Sequence, residues 1–228
     1  MSQTTPQKQK ENILTLSSKE AFKKVINFVG AVRLTADDFG TMLSDLIFSC
    51  GAEYQERTDA LERDLRFIQP IPYIALQTPD RSKVLHYVRH GGGEARLNKR
   101  MSIGFGGHVN DNDKTAATPY PQDIWAGAER ELSEKDEVGL LPSDYTSLEP
   151  YGACYIPTDP ENVHFGLFMI ATLNASGMAK LSDSFKANTK PENVRAFLNY
   201  TELHAMRENA STEAWSRYFI QLLLQERQ

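Results

Sequence analysis

The feature that most constrains this chain is a glycine-rich strand end followed, after a polar insertion, by a charged helix. Met101-Ser102-Ile103-Gly104-Phe105-Gly106-Gly107-His108-Val109 closes a β-prone stretch, the insertion runs from Asn110 to about Pro121, and a helical pattern extends from about Gln122 to Lys135. Glu131 and Glu134 stand three apart in that helix and project to one face. Hard carboxylate oxygens on a rigid face are what Mg²⁺ or Mn²⁺ accepts together with phosphate oxygens. A main-chain carbonyl from the glycine turn completes such a site, because glycine lets the backbone approach where a Cβ would clash.

The flanking segments set the frame. Residues 1–12 are polar and read as a loose tail. Ser17 with Glu20 three residues later reads as a capping box, and Ala21, Phe22, Val25, Ile26 and Val29 recur at helical spacing. After Thr35 a second helix carries Phe39, Met42, Leu43, Leu46 and Ile47 on one stripe. Residues 52–65 are heavily charged and read as a solvated helix or connector. Then Ile71–Leu76 and Val84–Val88 predict a hairpin across Thr78-Pro79-Asp80-Arg81. Tyr151–Ile156 and Val163–Leu173 predict further strands, the second apolar enough to be central, and Trp215–Leu224 a last amphipathic helix.

Composition excludes several classes. At roughly 150 residues per domain, 228 residues allow one large domain, or one with an appendage. Acidic residues outnumber basic ones by five, which argues against a stable nucleic-acid complex. No apolar run predicts a membrane span or a signal peptide, and Cys50 and Cys154 have neither disulfide-framework nor zinc spacing, so a cytoplasmic protein is expected.

The run Gly106-Gly107-His108-Val109 and then Ala126-Gly127-Ala128-Glu129-Arg130-Glu131-Leu132-Ser133-Glu134-Lys135-Asp136-Glu137-Val138-Gly139-Leu140 resembles the Nudix box. In that family a glycine is followed by five residues, a glutamate, seven residues, Arg-Glu, a bulky apolar residue, any residue, Glu-Glu, any residue, glycine and a bulky apolar residue. Ile71-Pro72-Tyr73, the basic triple-glycine hairpin and Val163-His164-Phe165-Gly166 further resemble the MutT-type phosphoesterase group of the family. The resemblance implies an α/β/α sandwich with a mixed sheet over residues 67–228; the residue pattern ahead of it gives a tail and helical extension over residues 1–66, expected to pack on it or on a second subunit as a homodimer. It also implies a metal-dependent hydrolase acting on a diphosphate linkage in a nucleoside diphosphate derivative.

By the same resemblance, Gly107, Glu131, Glu134 and Glu137 hold Mg²⁺ or Mn²⁺, Arg130 supports them, and Glu134, Glu137 or the remote Glu202 accepts a proton. Arg89, Arg96, Arg100 and His108 are candidate phosphate contacts. Three departures from the pattern stand out. Lys135 occupies the place of the third helix carboxylate, so Glu137 is expected to replace it through a two-residue bulge. Gln122 stands where counting back from Arg130 places a glutamate, and the insertion is long. These departures sustain an alternative, a nucleotide-binding or regulatory module with a weakened box.

Overall fold

The structure is a computed structural model describing residues 11–89, 97–134, 138–158, 162–187 and 195–227, with 184–187 by backbone only. Its centre is set by the two most continuously apolar strands. β4 (Gln69–Gln77) and β9 (His164–Leu173) are buried along their whole length and pair in parallel, from Gln69 opposite His164 to Gln77 opposite Thr172. A central strand rarely tolerates proline, yet β4 contains Pro70 and Pro72. Gln69 N–H bonds Val163 O at 2.7 Å, and alternation turns the next residue's backbone away from β9. On that far side β7 (Gly104–Gly106) pairs only with Tyr73–Ala75, so the prolines forfeit no ladder bond.

The remaining strands pair antiparallel. β5 (Lys83–Val88) joins β4, β10 (Arg195–Asn199) and β6 (Met101–Ser102), while β8 (Tyr145–Tyr155) joins β9 and, at its other edge, β2 (Gly30–Arg33). Among the described residues this makes an eight-stranded sheet in the order β10-β5-β4-β9-β8-β2, with β6 on β5 and β7 on β4.

Side-chain alternation divides the core. On one face Ile74, Leu76, Leu85 and Phe105 pack with α1 (Lys19–Val25), α2 (Ala36–Ser49), α3 (Pro121–Ser133) and α4 (Ala175–Ala187). On the other, Tyr73, Ala75, Val84 and Phe168 meet α5 (Tyr200–Glu208) and α6 (Ala214–Gln225). The result is the expected α/β sandwich around a mixed sheet.

The N-terminal segment departs from the expected run of helices. α1 is capped by Ser18 rather than Ser17, its hydroxyl accepting from Ala21 N–H at 3.3 Å. α2 follows its Thr35 cap as predicted, with the five expected apolar residues buried. Residues 52–65, however, contain a strand, β3 (Ala52–Glu56), paired with β1 (Asn12–Leu16), and a short 3₁₀ turn at Leu61–Arg63. β2 adds a strand of this segment directly to the main sheet, and Leu14, Phe22 and Leu46 share one core with Ile74 and Leu167.

Candidate active site

The site forms where β7 ends against α3. Ile124, Ala128 and Leu132 recur every fourth residue and bury one stripe of α3, which turns Arg130 and Glu131 toward the turn at Gly107 and His108 that follows β7. An ideal Cβ on Gly107 would lie 2.4 Å from Glu131 Oε1 and 2.9 Å from Oε2, so the absence of a side chain there is what admits the carboxylate. Glu131 is buried, and Glu134, the C-cap, is extended and half-exposed.

Arg130 organises the cluster. Its Nη1 donates to Glu131 Oε1 at 2.7 Å and to Glu134 Oε1 at 2.6 Å. Its Nε donates to Asp113 Oδ1 at 2.9 Å, while Nη2 donates to Asp113 Oδ2 at 3.1 Å and to the His108 carbonyl at 2.7 Å. Burial alone would ease the proton off Arg130, but Asp113 and Glu131 outweigh it and hold the guanidinium charged. One cation thus ties the glycine turn, the insertion and both helix carboxylates together.

No protein-family model matches the sequence. Protein YmaB of Bacillus subtilis (strain 168) is 29% identical over 224 residues, covering 95% of this chain and 98% of that one. Among solved structures, Tm1382, described as a presumptive Nudix hydrolase, is 25% identical with a TM-score of 0.68 over 95% of this chain and 100% of its own. Over nearly its whole length the chain resembles a Nudix protein in fold. A mutT/nudix family protein from Listeria innocua is more distant, at 14% identity and a TM-score of 0.45 over 69% of this chain and 92% of its own.

Set on the Nudix pattern, the structure corrects the reading of Gln122. The partner of Arg130 is Asp113, which is found by counting forward from Gly107 with five residues between. The insertion falls after that acidic position, so counting back from Arg130 misses it. Asp113 is fully buried, and its Oδ2 also accepts Asn110 N–H at 2.8 Å. The insertion is fastened in turn by Asp123, which accepts from Thr115 N–H at 2.8 Å and from the Tyr54 hydroxyl at 2.9 Å.

Other expected site residues are distributed more widely. Glu137, Lys135 and Arg96 lie outside the described residues. Arg100 Nη1 donates to the Ala210 carbonyl at 2.6 Å and Arg89 Nη1 to Glu213 Oε2 at 3.4 Å, so both reach the connection between α5 and α6. Glu202 caps its own helix, accepting Asn199 N–H at 2.7 Å, and α5 packs on the face of the sheet opposite α3.

His108 turns its ring away from the carboxylates into a second, unforeseen cluster. Its Nε2 is 2.6 Å from Gln69 Oε1 and 3.7 Å from Glu62 Oε1, while His164 Nε2 is 3.5 Å from Glu62 Oε2. Burial, followed by the nearby Arg57 charge, lowers the His108 imidazole to about 3, leaving it neutral. Burial pushes the Glu62 carboxyl up, but the adjacent His164 and the Arg57 guanidinium overcome it and bring the group down to about 2.

Among the described residues no helix is long and apolar enough to cross a membrane.

Proposed function

We propose that this chain is a metal-dependent Nudix hydrolase that cleaves a diphosphate linkage in a nucleoside diphosphate derivative. The observation that carries this reading is the Glu131 carboxylate seated on the Cα of Gly107 while Arg130 Nη1 links it to Glu134. That donor set, two carboxylates beside a main-chain turn without a side chain, fits Mg²⁺ or Mn²⁺. Gly107 O, Glu131 and Glu134 would hold the ion, which when bound supplies charge neutralisation at the diphosphate and acidifies a water.

The chain's own groups provide the rest. Arg130, fixed by Asp113, keeps the two carboxylates in register so that little rearrangement accompanies substrate binding. Glu131, enclosed by the glycine turn, is the fixed oxygen donor. Glu134, the more exposed, accepts the proton of the attacking water. Attack at phosphorus then breaks the bridging P–O bond and releases two phosphate-terminated fragments.

A second reading rests on the same guanidinium. With Arg130 Nη1 already engaging both carboxylates, the box also suits a module that binds a nucleotide without cleaving it. Mg²⁺-dependent turnover across a panel of nucleoside diphosphate derivatives separates the two. Turnover lost in both Glu131→Gln and Glu134→Gln supports the hydrolase; tight binding of a panel member with no turnover in the unmodified protein supports the module.

A further inference from the structure

The cluster of Glu62, His108 and His164 has no part in the proposed hydrolysis, and its chemistry differs from that of the carboxylate site. Two imidazoles and one carboxylate are borderline-soft donors suited to zinc-class ions rather than to Mg²⁺. The three residues come from separate parts of the fold: the 3₁₀ turn at Leu61–Arg63, the loop after β7 and the first residue of β9. Each offers one ligand atom, and these atoms lie within 4.8 Å of one another.

We infer that Glu62, His108 and His164 form a binding site for one zinc-class divalent ion, separate from the Nudix carboxylates.

Two observations carry it. The first is spacing. Donors about 2.1 Å from a tetrahedral ion stand about 3.4 Å apart. Glu62 Oε2 is 3.5 Å from His164 Nε2, and Oε1 is 3.7 Å from His108 Nε2. Both gaps are too long for good hydrogen bonds and close to the separation of two ligands of one ion. The second is an orphaned atom. The His164 side chain is 9% exposed, and its Nε2 is buried with no hydrogen-bond partner. Buried polar atoms left unmatched are rare, and this one is aimed at the carboxylate and the second imidazole.

The surroundings support the same assignment. Arg57 Nε donates to Glu62 Oε1 at 2.7 Å and so fixes the carboxylate plane from outside. Gln69, opposite His164 in the β4–β9 register, places Oε1 at 2.6 Å from His108 Nε2. Binding an ion would break this hydrogen bond and leave the ring proton on His108 Nδ1, which frees Nε2 as the ligand atom. Such an ion would staple the N-terminal segment to the central strands.

The test uses the full chain, freed of metal by chelation and titrated with Co²⁺ as a spectroscopic substitute for Zn²⁺. The expected result is one equivalent that gives the visible absorption of a low-coordinate nitrogen–oxygen site and is displaced by Zn²⁺, and a thermal midpoint raised by Zn²⁺. Glu62→Gln, at a half-buried position where the shape is kept, and His164→Gln should each weaken Zn²⁺ binding by about 100-fold or more and abolish the Zn²⁺-induced midpoint shift. Glu131→Gln should retain the Co²⁺ spectrum, whether or not the protein proves to be a hydrolase. An unmodified protein that gives no Co²⁺ absorption, a spectrum unchanged in Glu62→Gln and His164→Gln, or one lost in Glu131→Gln would overturn the assignment.

Discussion

Asp113 grips Arg130 at two points, with Nε on Oδ1 at 2.9 Å and Nη2 on Oδ2 at 3.1 Å. The guanidinium so held carries Glu131 and Glu134 on its remaining terminal nitrogen. The placement of both helix carboxylates therefore depends on a residue of the insertion, outside α3 altogether.

Removing Asp113 should cost both stability and function. Its carboxylate is fully buried while Arg130 keeps some solvent contact, so Asp113→Ala is expected to lower unfolding free energy by about 3 kcal/mol, at the lower end for breaking a buried pair. Urea unfolding measures this. Any Mg²⁺-dependent turnover should fall as well, because Arg130 loses the anchor that orients it.

Gly107→Ala should separate function from stability. The new Cβ would meet the end of the Glu131 side chain, an atom group that can swing aside, rather than backbone. Unfolding free energy is expected to change by less than about 1 kcal/mol, within the range of uncritical substitutions. Turnover should fall by about 100-fold, the scale of a displacement of about 1 Å in a catalytic group. Steady-state kinetics beside thermal unfolding checks the split, and equal losses in both would contradict the assigned role of the glycine.

The sequence disclosed those parts of the molecule whose signals are local. The Thr35 cap and apolar stripe of α2, the β4–β5 hairpin and the unbroken hydrophobic run of β9 each follow from a short window of residues. β3 was hidden because none of its own residues is buried, so Glu53 and Glu56 face solvent and the segment reads as charge. Asp113 was legible by forward counting and masked by the insertion behind it. The Glu62–His108–His164 cluster had no local signal at all. Its members meet only because the 3₁₀ turn, the glycine loop and β9 converge in the folded chain.

Asp144 supplies a pH-dependent contribution. Burial pushes its carboxyl up, but Lys180, the Leu141 N–H at 2.8 Å and the Ser176 hydroxyl at 2.7 Å overcome that and leave it below the ordinary value. A depressed carboxylate stabilises the fold above its unfolded pKa of about 3.9 and loses that contribution as pH falls through its folded value. The stability difference between the unmodified protein and Asp144→Asn should be constant near neutrality and shrink below about pH 4. Unfolding curves collected across that range measure it; a difference that grew with acid would reverse the sign.

Gly104 and Gly40 should respond oppositely to alanine. In β7, a Cβ on Gly104 would lie 2.1 Å from Tyr73 Cε1. Tyr73 cannot yield, because its hydroxyl is bonded to Ser102 at 3.0 Å, Ser216 at 2.7 Å and Glu213, while its ring packs against a tilted Phe168 and an edge-on Trp215 at centroid distances of 5.6 Å. Overpacking against so fixed a ring should cost about 2 to 3 kcal/mol. Gly40 lies within α2, and a Cβ there would meet nothing within 4 Å. Replacing it should gain up to about 1 kcal/mol from helix propensity alone. Paired denaturation curves for Gly104→Ala and Gly40→Ala test this, and destabilisation by both would mean that the open space beside α2 is filled in solution.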